Sequence, residues 1–407
     1  MIETLGVGGS SSEVALASLS NMMEGVVPIA AAEYRARIAR AQALMQAQSL
    51  SAIFVPAGTN LAYFTGTRWR PSERLVGALI PAHGELRYLA PYFEIGSLRD
   101  FSGLEAPIHA WHEHESPYRL VVETLASLGI SAGARVGLCE STPFFVHDGL
   151  RALATGVELV NAASVTAPCR MRKSPGELAL IQRAHTMTLA VHRATASMLH
   201  EGITTTEVTA FVDAAHRKVG ATGSYFCIAL FGAATSFPHG VKHPQVLAAG
   251  DMVLIDTGCL VEGYMSDITR SYVFGTPSAR QRAVWNSEHA AQAAAFRAAR
   301  LGATCESVDA AARSSLEADG FGPGYDLPGL PHRTGHGIGL DIHEWPYLVR
   351  GDQTSLDIGM CFSNEPMICV PGELGVRHED HFHMTANGPV WFTEPSPSID
   401  DPFGLGS

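Results

Sequence analysis

An α/β domain followed by a larger α+β domain is the fold this sequence predicts, and three observations carry that prediction. At 407 residues the chain exceeds the roughly 250 to 300 residues at which a single hydrophobic core stops growing, so two cores are expected. Helical and strand patterns alternate through about the first 165 residues, whereas two pairs of adjacent strands dominate the region after residue 250. Between these regions, Ser174-Pro175-Gly176-Glu177 has capping-box spacing with proline at the first helical position, and so starts a new helix.

Residues 1–30 are small and polar, with the run Gly8-Gly9-Ser10-Ser11-Ser12, and read as a flexible arm in which Val14, Leu16 and Leu19 offer a short docking helix. A first domain is placed at 31–166. Tyr34, Ile38, Ala41, Leu44 and Met45 recur at helical spacing, and Ala52 to Val55 and Leu75 to Ile80 read as strands with a Gly/Asn turn after the first. A helix from Tyr118 to Leu128, a strand from Val136 to Cys139, a helix from Phe145 to Ala154 and a strand from Val157 to Val160 continue the alternation. Ala167 to Lys173 reads as a basic connector into the second domain, placed at 170–395. There Leu178, Ile181, Leu189 and Met198 mark one helix, Thr205 to Val219 a second, and Arg280 to Leu301 and Ser307 to Asp319 two more. Residues 396–407 are left as a C-terminal tail.

Composition removes several classes of function. The chain is 46% hydrophobic and 17% charged, which is globular rather than disordered. Its 28 Lys and Arg against 40 Asp and Glu give a net charge of −12, an argument against nucleic acid as partner, since phosphate binding needs a basic face. The seven cysteines are odd in number and form no CxxC pair, so a reducing compartment fits better than a disulfide framework. With no basic leader and no run of eighteen apolar residues, a cytoplasmic protein without a membrane span is expected.

The chemistry is concentrated in two acidic hairpins. Met252 to Phe274 reads as two strands about a turn at Leu260 to Gly263, with Asp256 and Asp267 symmetric about it. An antiparallel ladder would set them opposite one another, with Cβ atoms about 4.5–5.5 Å apart. Flanking Val, Leu and Ile imply burial, and two buried like charges need a proton or a cation. A register shifted by one residue would instead put one aspartate in water. The second hairpin runs from Met360 to Met384 about Pro371-Gly372-Glu373, with Glu365 and Glu379 symmetric about Gly372. Four such carboxylates with an imidazole suit divalent Mn, Fe, Co or Zn, and a pair of ions would balance them.

The imidazole is assigned to His336 in Thr-Gly-His-Gly-Ile-Gly, where flanking glycines would let the backbone approach a metal closely. His343, seven residues on, and His239 in Phe-Pro-His-Gly lie on the same approach and do not read as ligands. His332, His109, His112 and His114 read as ordinary core or surface histidines.

These residues resemble the methionine aminopeptidase, prolidase and creatinase family, whose catalytic domain is the pita-bread fold. The five metal ligands of that family fall on Asp256 in Ile-Asp-Thr-Gly, Asp267 in Ser-Asp-Ile-Thr-Arg, His336 in Gly-His-Gly-Ile-Gly, Glu365 in Asn-Glu-Pro and Glu379 in Arg-His-Glu-Asp. The resemblance is strong over about residues 170–395, and the preceding domain looks like the N-terminal domain of the prolidase and creatinase branch. His378 is a departure, because the family more often has an apolar residue before the last glutamate.

The resemblance implies metal-dependent hydrolysis of Xaa-Pro dipeptides with two divalent ions per subunit, manganese first and cobalt, zinc or iron as alternatives. It makes Asp267 and Glu379 the shared ligands, Glu365 both ligand and proton shuttle, and His239 and His343 stabilisers of the oxyanion. Arg350, Arg377 and His332 are the candidates for binding the substrate, with orientation of Glu379 preferred for Arg377. The same branch implies a homodimer. An Xaa-Pro aminopeptidase acting on longer peptides is the close alternative, and a small-molecule hydrolase or lyase on the same fold is another.

Overall fold

The computed structural model describes residues 4–406 and divides the chain into two compact units. One is Ile29–Arg170; the other is Met171–Ser407 together with the chain up to Pro28.

In the first unit six strands form one mixed sheet, in the order Ile108–Trp111, Arg87–Pro91, Gly77–Pro81, Ala52–Pro56, Arg135–Leu138 and Glu158–Asn161. Ala52–Pro56 is buried along its whole length, pairing antiparallel with Gly77–Pro81 and parallel with Arg135–Leu138. Burial on both faces explains why it reads as an unbroken apolar run rather than an alternation. Two local expectations are corrected here. The Gly/Asn segment is the start of a helix, Thr59–Thr65, whose Leu61 and Phe64 are anchored in the core. The basic connector is largely helical, within Ala163–Met171. Its internal Pro168 has no N–H to offer the carbonyl of Ser164, and Gln48 Nε2 donates to that carbonyl instead, at 3.1 Å.

In the second unit the helix Pro175–Ser197 opens with the expected capping box between Ser174 and Glu177. Two antiparallel sheets follow. One has three strands, Ile268–Val273, Met252–Gly258 and Phe226–Phe231; the other has five, Glu344–Leu348, Gly335–Gly337, Cys361–Asn364, Asp380–Thr385 and Gly388–Trp391. A bridge between Thr269 and Glu379 joins them. Trp285, from the helix Ala279–Ala298, is fully buried behind the first sheet, where its Nε1 donates to the Ser271 carbonyl at 2.9 Å.

The N-terminal segment, so far as it is described, is not the flexible arm expected, and the C-terminal tail is packed as well. Backbone N–H groups of Thr4, Leu5 and Gly8 donate to the carbonyls of Gly275, Asp400 and Ala196 at 3.1, 2.7 and 2.9 Å. The short helix Ser12–Ala17 buries Ala15. Near the C-terminus Ile399 and Phe403 are buried, with the Phe403 ring 5.7 Å from that of Tyr272. Polar composition concealed this because main-chain hydrogen bonds do most of the docking. Among the described residues no helix is long and apolar enough to cross a membrane.

Candidate metal centre

The first acidic ribbon differs from expectation in register. Val261 pairs with Tyr264, so the turn is the two residues Glu262 and Gly263, with φ of 49° and 82°. Two positive φ values define a type I′ hairpin, whose twist matches that of the flanking strands. Asp256 therefore lies opposite Thr269, and Asp267 is its diagonal neighbour on the same face, two residues from Thr269. Both aspartates remain buried, and each carboxylate lies in the field of the other.

The second ribbon keeps the expected register. Met367 pairs with Arg377 on one side of an interruption and Asn364 with Asp380 on the other, so Glu365 and Glu379 stay opposite one another. Each leaves the ladder to bond elsewhere: Glu365 N–H donates to the Thr334 carbonyl at 2.8 Å and Glu379 N–H to that of Thr269 at 3.1 Å. The interruption thus turns two carboxylates out of one ladder towards two neighbouring elements.

His336 lies on the short strand Gly335–Gly337 beside them. Its Nδ1 is 2.9 Å from the Gly337 carbonyl, which calls for the proton on that nitrogen and leaves Nε2 to carry a second proton towards Glu365 when no cation is bound, or to offer its lone pair to a cation. Nε2 is 3.0 Å from Glu365, 3.7 Å from Asp267 and 3.9 Å from Glu379. The His336 N–H donates to Ser363 Oγ at 2.8 Å, and that hydroxyl donates to Glu365 Oε1 at 3.0 Å. The flanking glycines have a different reason from the one expected: a Cβ at Gly335 would lie 2.0 Å from the Ser363 carbonyl, and one at Gly337 2.6 Å from that of Glu344. They allow neighbouring strands to approach.

Electrostatically the cluster is short of positive charge. Burial, then the neighbouring carboxylates, hold Asp267 and Glu379 well above the usual carboxylate range; burial also raises Asp256, against the pull of Arg377. Burial works the same way on Glu365, but the hydrogen bond and charge of His336 override it and hold that carboxyl below the usual range. Oδ1 of Asp256, Oδ1 of Asp267 and Oε1 of Glu379 are buried with no hydrogen-bond partner. Orphaned carboxylate oxygens facing an imidazole lone pair fit divalent cations, and these residues would hold them.

Arg377 is not placed to bind substrate. It is buried, and its donors go to the Asp256 carboxylate, to Thr269 Oγ1 at 3.1 Å and to the Pro238 carbonyl at 3.1 Å. Burial opposes its charge, but Asp256, Glu365, Glu379 and Asp267 more than compensate and raise its proton affinity. Arg350 is exposed, with its guanidinium 6.0 Å from the Tyr325 ring centroid, and it makes none of the ion pairs of the cluster. His343 does reach the site, its ring 4.2 Å from that of His336. His343 is exposed, yet the protein surrounding one side of its ring, then His336 and Arg333, lower its imidazole from the ordinary value. Burial likewise lowers His332, whose Nδ1 is 2.7 Å from the Arg333 carbonyl and whose field includes Glu365, Arg377 and His239. His239 is exposed and acts electrostatically on both His332 and His343.

Several contributors escaped the sequence reading. Thr269 Oγ1 accepts from Arg377 and donates to Glu379 Oε2 at 2.9 Å, linking the two ribbons. Lys173 and Glu344 form a buried ion pair of 3.0 Å, and Glu344 Oε1 accepts the N–H groups of Leu340 and Asp341, which fixes the loop carrying His343. Arg333 stacks on Tyr347, with 4.2 Å from guanidinium carbon to ring centroid. His378 turns away from the cluster, 3.5 Å from the buried Glu288 and against Trp285.

Sequence comparison agrees with this geometry. Residues 179–386 match metallopeptidase family M24 and residues 37–172 match the creatinase/prolidase N-terminal domain. The chain belongs to family M24 and is a hydrolase of the dipeptidase and prolidase-like kind. It is 32% identical over 360 residues to the putative dipeptidase YkvY of Bacillus subtilis, covering 88% of this chain and 97% of that one. It is 30% identical over 346 residues to the Xaa-Pro dipeptidase of Pyrococcus horikoshii, covering 84% and 93%. The crystal structure of dipeptidase PepE from Mycobacterium ulcerans superposes with a TM-score of 0.85 at 33% identity, covering 92% and 99%.

Proposed function

We propose that this M24 hydrolase is an Xaa-Pro dipeptidase in which Asp256, Asp267, His336, Glu365 and Glu379 would hold two divalent ions, with Asp267 and Glu379 as the ligands that both would use. The observation that supports this most is the convergence of Asp267, Glu365 and Glu379 on the His336 imidazole, with carboxylate oxygens orphaned there and at Asp256, and Arg377 the principal positive charge among the described residues. When bound, the ions lower the pKa of a water and polarise the scissile carbonyl. Manganese is the first expectation, and cobalt, zinc or iron suit the same donors.

The side chains then divide the remaining work. Glu365, ionised beside His336, accepts the attacking water's proton on a carboxylate oxygen and delivers it to the leaving proline nitrogen. His343, exposed beside His336 and with its proton affinity lowered by its surroundings, is neutral near pH 7 and donates an N–H to the carbonyl oxygen as charge develops there. His239 completes that polar wall and His332 steadies the bound peptide. Arg333 takes the role first considered for Arg350, pairing with the free carboxylate of the dipeptide: it lies within electrostatic reach of His343 and its plane is fixed by Tyr347. The resemblance to the prolidase branch extends the reading to a homodimer, and the cysteine usage to a cytoplasmic location.

The experiment is metal analysis of the purified protein with a panel of Xaa-Pro dipeptides and Xaa-Pro-Xaa tripeptides. About two ions per chain and turnover of dipeptides are expected. Cleavage of the longer peptides alone would make it an Xaa-Pro aminopeptidase, and cleavage of neither would remove the proline specificity.

A further inference from the structure

We infer that His381 is a sixth metal-ligating residue, which makes one of the two ion positions richer in nitrogen than the other; this rests on the two-ion reading above. His381 lies two residues after Glu379 on the strand Asp380–Thr385, and the period of two puts both on one face. Asp380, between them, points the other way and pairs with the buried Arg270 at 2.6 Å. One ligand atom each from Asp267, His336, Glu379 and His381 lie within 4.8 Å of one another.

The second observation concerns the ring itself. His381 is 0% exposed, yet neither Nδ1 nor Nε2 makes a well-formed hydrogen bond, although the Asp267 main chain lies close to the ring. A buried imidazole so poorly satisfied is costly, and here one of its nitrogens faces two carboxylates that also have oxygens without partners. The ring is held in place by His185, 4.8 Å away between centroids, whose own Nδ1 is engaged by the Ile181 carbonyl at 2.9 Å.

Two imidazoles and two carboxylates form an N₂O₂ set suited to zinc, cobalt or iron. The part of the centre built on Asp256 offers oxygen and suits manganese equally well. The two positions therefore differ in preference, the one bounded by Asp267, His336, Glu379 and His381 taking the borderline ion.

The test uses the full-length protein stripped of metal and reloaded with one equivalent of zinc. Zinc-edge X-ray absorption should show two imidazoles on the ion, and His381→Phe, which keeps the ring packed on His185, should show one. Competition with a chelator should give zinc binding weaker by about tenfold or more in His381→Phe, with manganese binding much less affected. One imidazole in the unaltered protein, a spectrum that needs no variant to fold, overturns the inference and leaves the two-ion reading intact. Failure of the unaltered protein to bind any divalent ion would instead remove the two-ion reading itself.

Discussion

Arg377 donates a hydrogen bond to the carboxylate of Asp256 and so ties the second acidic ribbon to the first. The pair is buried on both sides, and Arg377 is the principal positive charge among the carboxylates. Removing it by Arg377→Ala leaves a buried, unpaired carboxylate, a loss of about 3–5 kcal/mol. Urea denaturation should show that loss, and Arg377→Lys should recover only part of it because one ammonium cannot serve Asp256, Thr269 and Pro238 together. An unchanged midpoint in Arg377→Ala would contradict the orienting role.

Glu365 and Glu379 should separate in their effects. Glu379→Ala, or Asp267→Ala, should lower the bound metal measured by elemental analysis and abolish hydrolysis. Glu365→Gln keeps an oxygen donor but cannot take a proton, so metal content should persist while kcat falls by about 100-fold or more. Loss of metal without any separate loss of turnover would deny Glu365 its shuttle role.

The pH dependence of stability has a definite sign. Burial and mutual repulsion raise Asp267 and Glu379 in the fold above their unfolded values. With no cation present, these groups stabilise the fold at low pH, and that contribution is lost as pH rises through their folded pKa values. Divalent ions replace the protons, so the gain in melting temperature on adding manganese should be larger at pH 8 than at pH 5.5. A gain independent of pH would argue that the ion binds elsewhere.

Arg333 and Arg350 make opposite predictions for substrate. Arg333→Ala should raise KM for a dipeptide with a free C-terminal carboxylate and leave an amidated analogue nearly unaffected, whereas Arg350→Ala should change neither. The reverse pattern would restore Arg350 to the role first given to it.

At the first turn, Glu262 carries a φ of 49°, a conformation in which asparagine is more at ease. Glu262→Asn should stabilise the ribbon by about 0.5–1 kcal/mol in the same urea assay. Gly263→Ala should cost more, since its φ of 82° is strained for any Cβ.

This turn also shows where the sequence could be read and where it could not. The type and symmetry of both acidic ribbons were legible because carboxylates are conspicuous in apolar runs. The register of the first was not, because the choice of turn residues between Leu260 and Gly263 depends on backbone φ values that composition does not disclose. Glu365 and Glu379 were easier, since Gly372 gives one clear centre. His336 was marked by its glycines, although they serve strand approach. Thr269, Lys173 and Glu344 act through contacts across more than a hundred residues and carry no local signal. His381 had one, the Glu-x-His spacing on a strand, and it was overlooked beside the stronger glutamate.

Anomalous scattering from crystals of the as-purified protein tests the central claim most directly. Two peaks should lie among Asp256, Asp267, His336, Glu365 and Glu379, with Asp267 and Glu379 contacting both. An empty cluster, or an Asp256 or Glu379 side chain turned out towards solvent, would contradict the account.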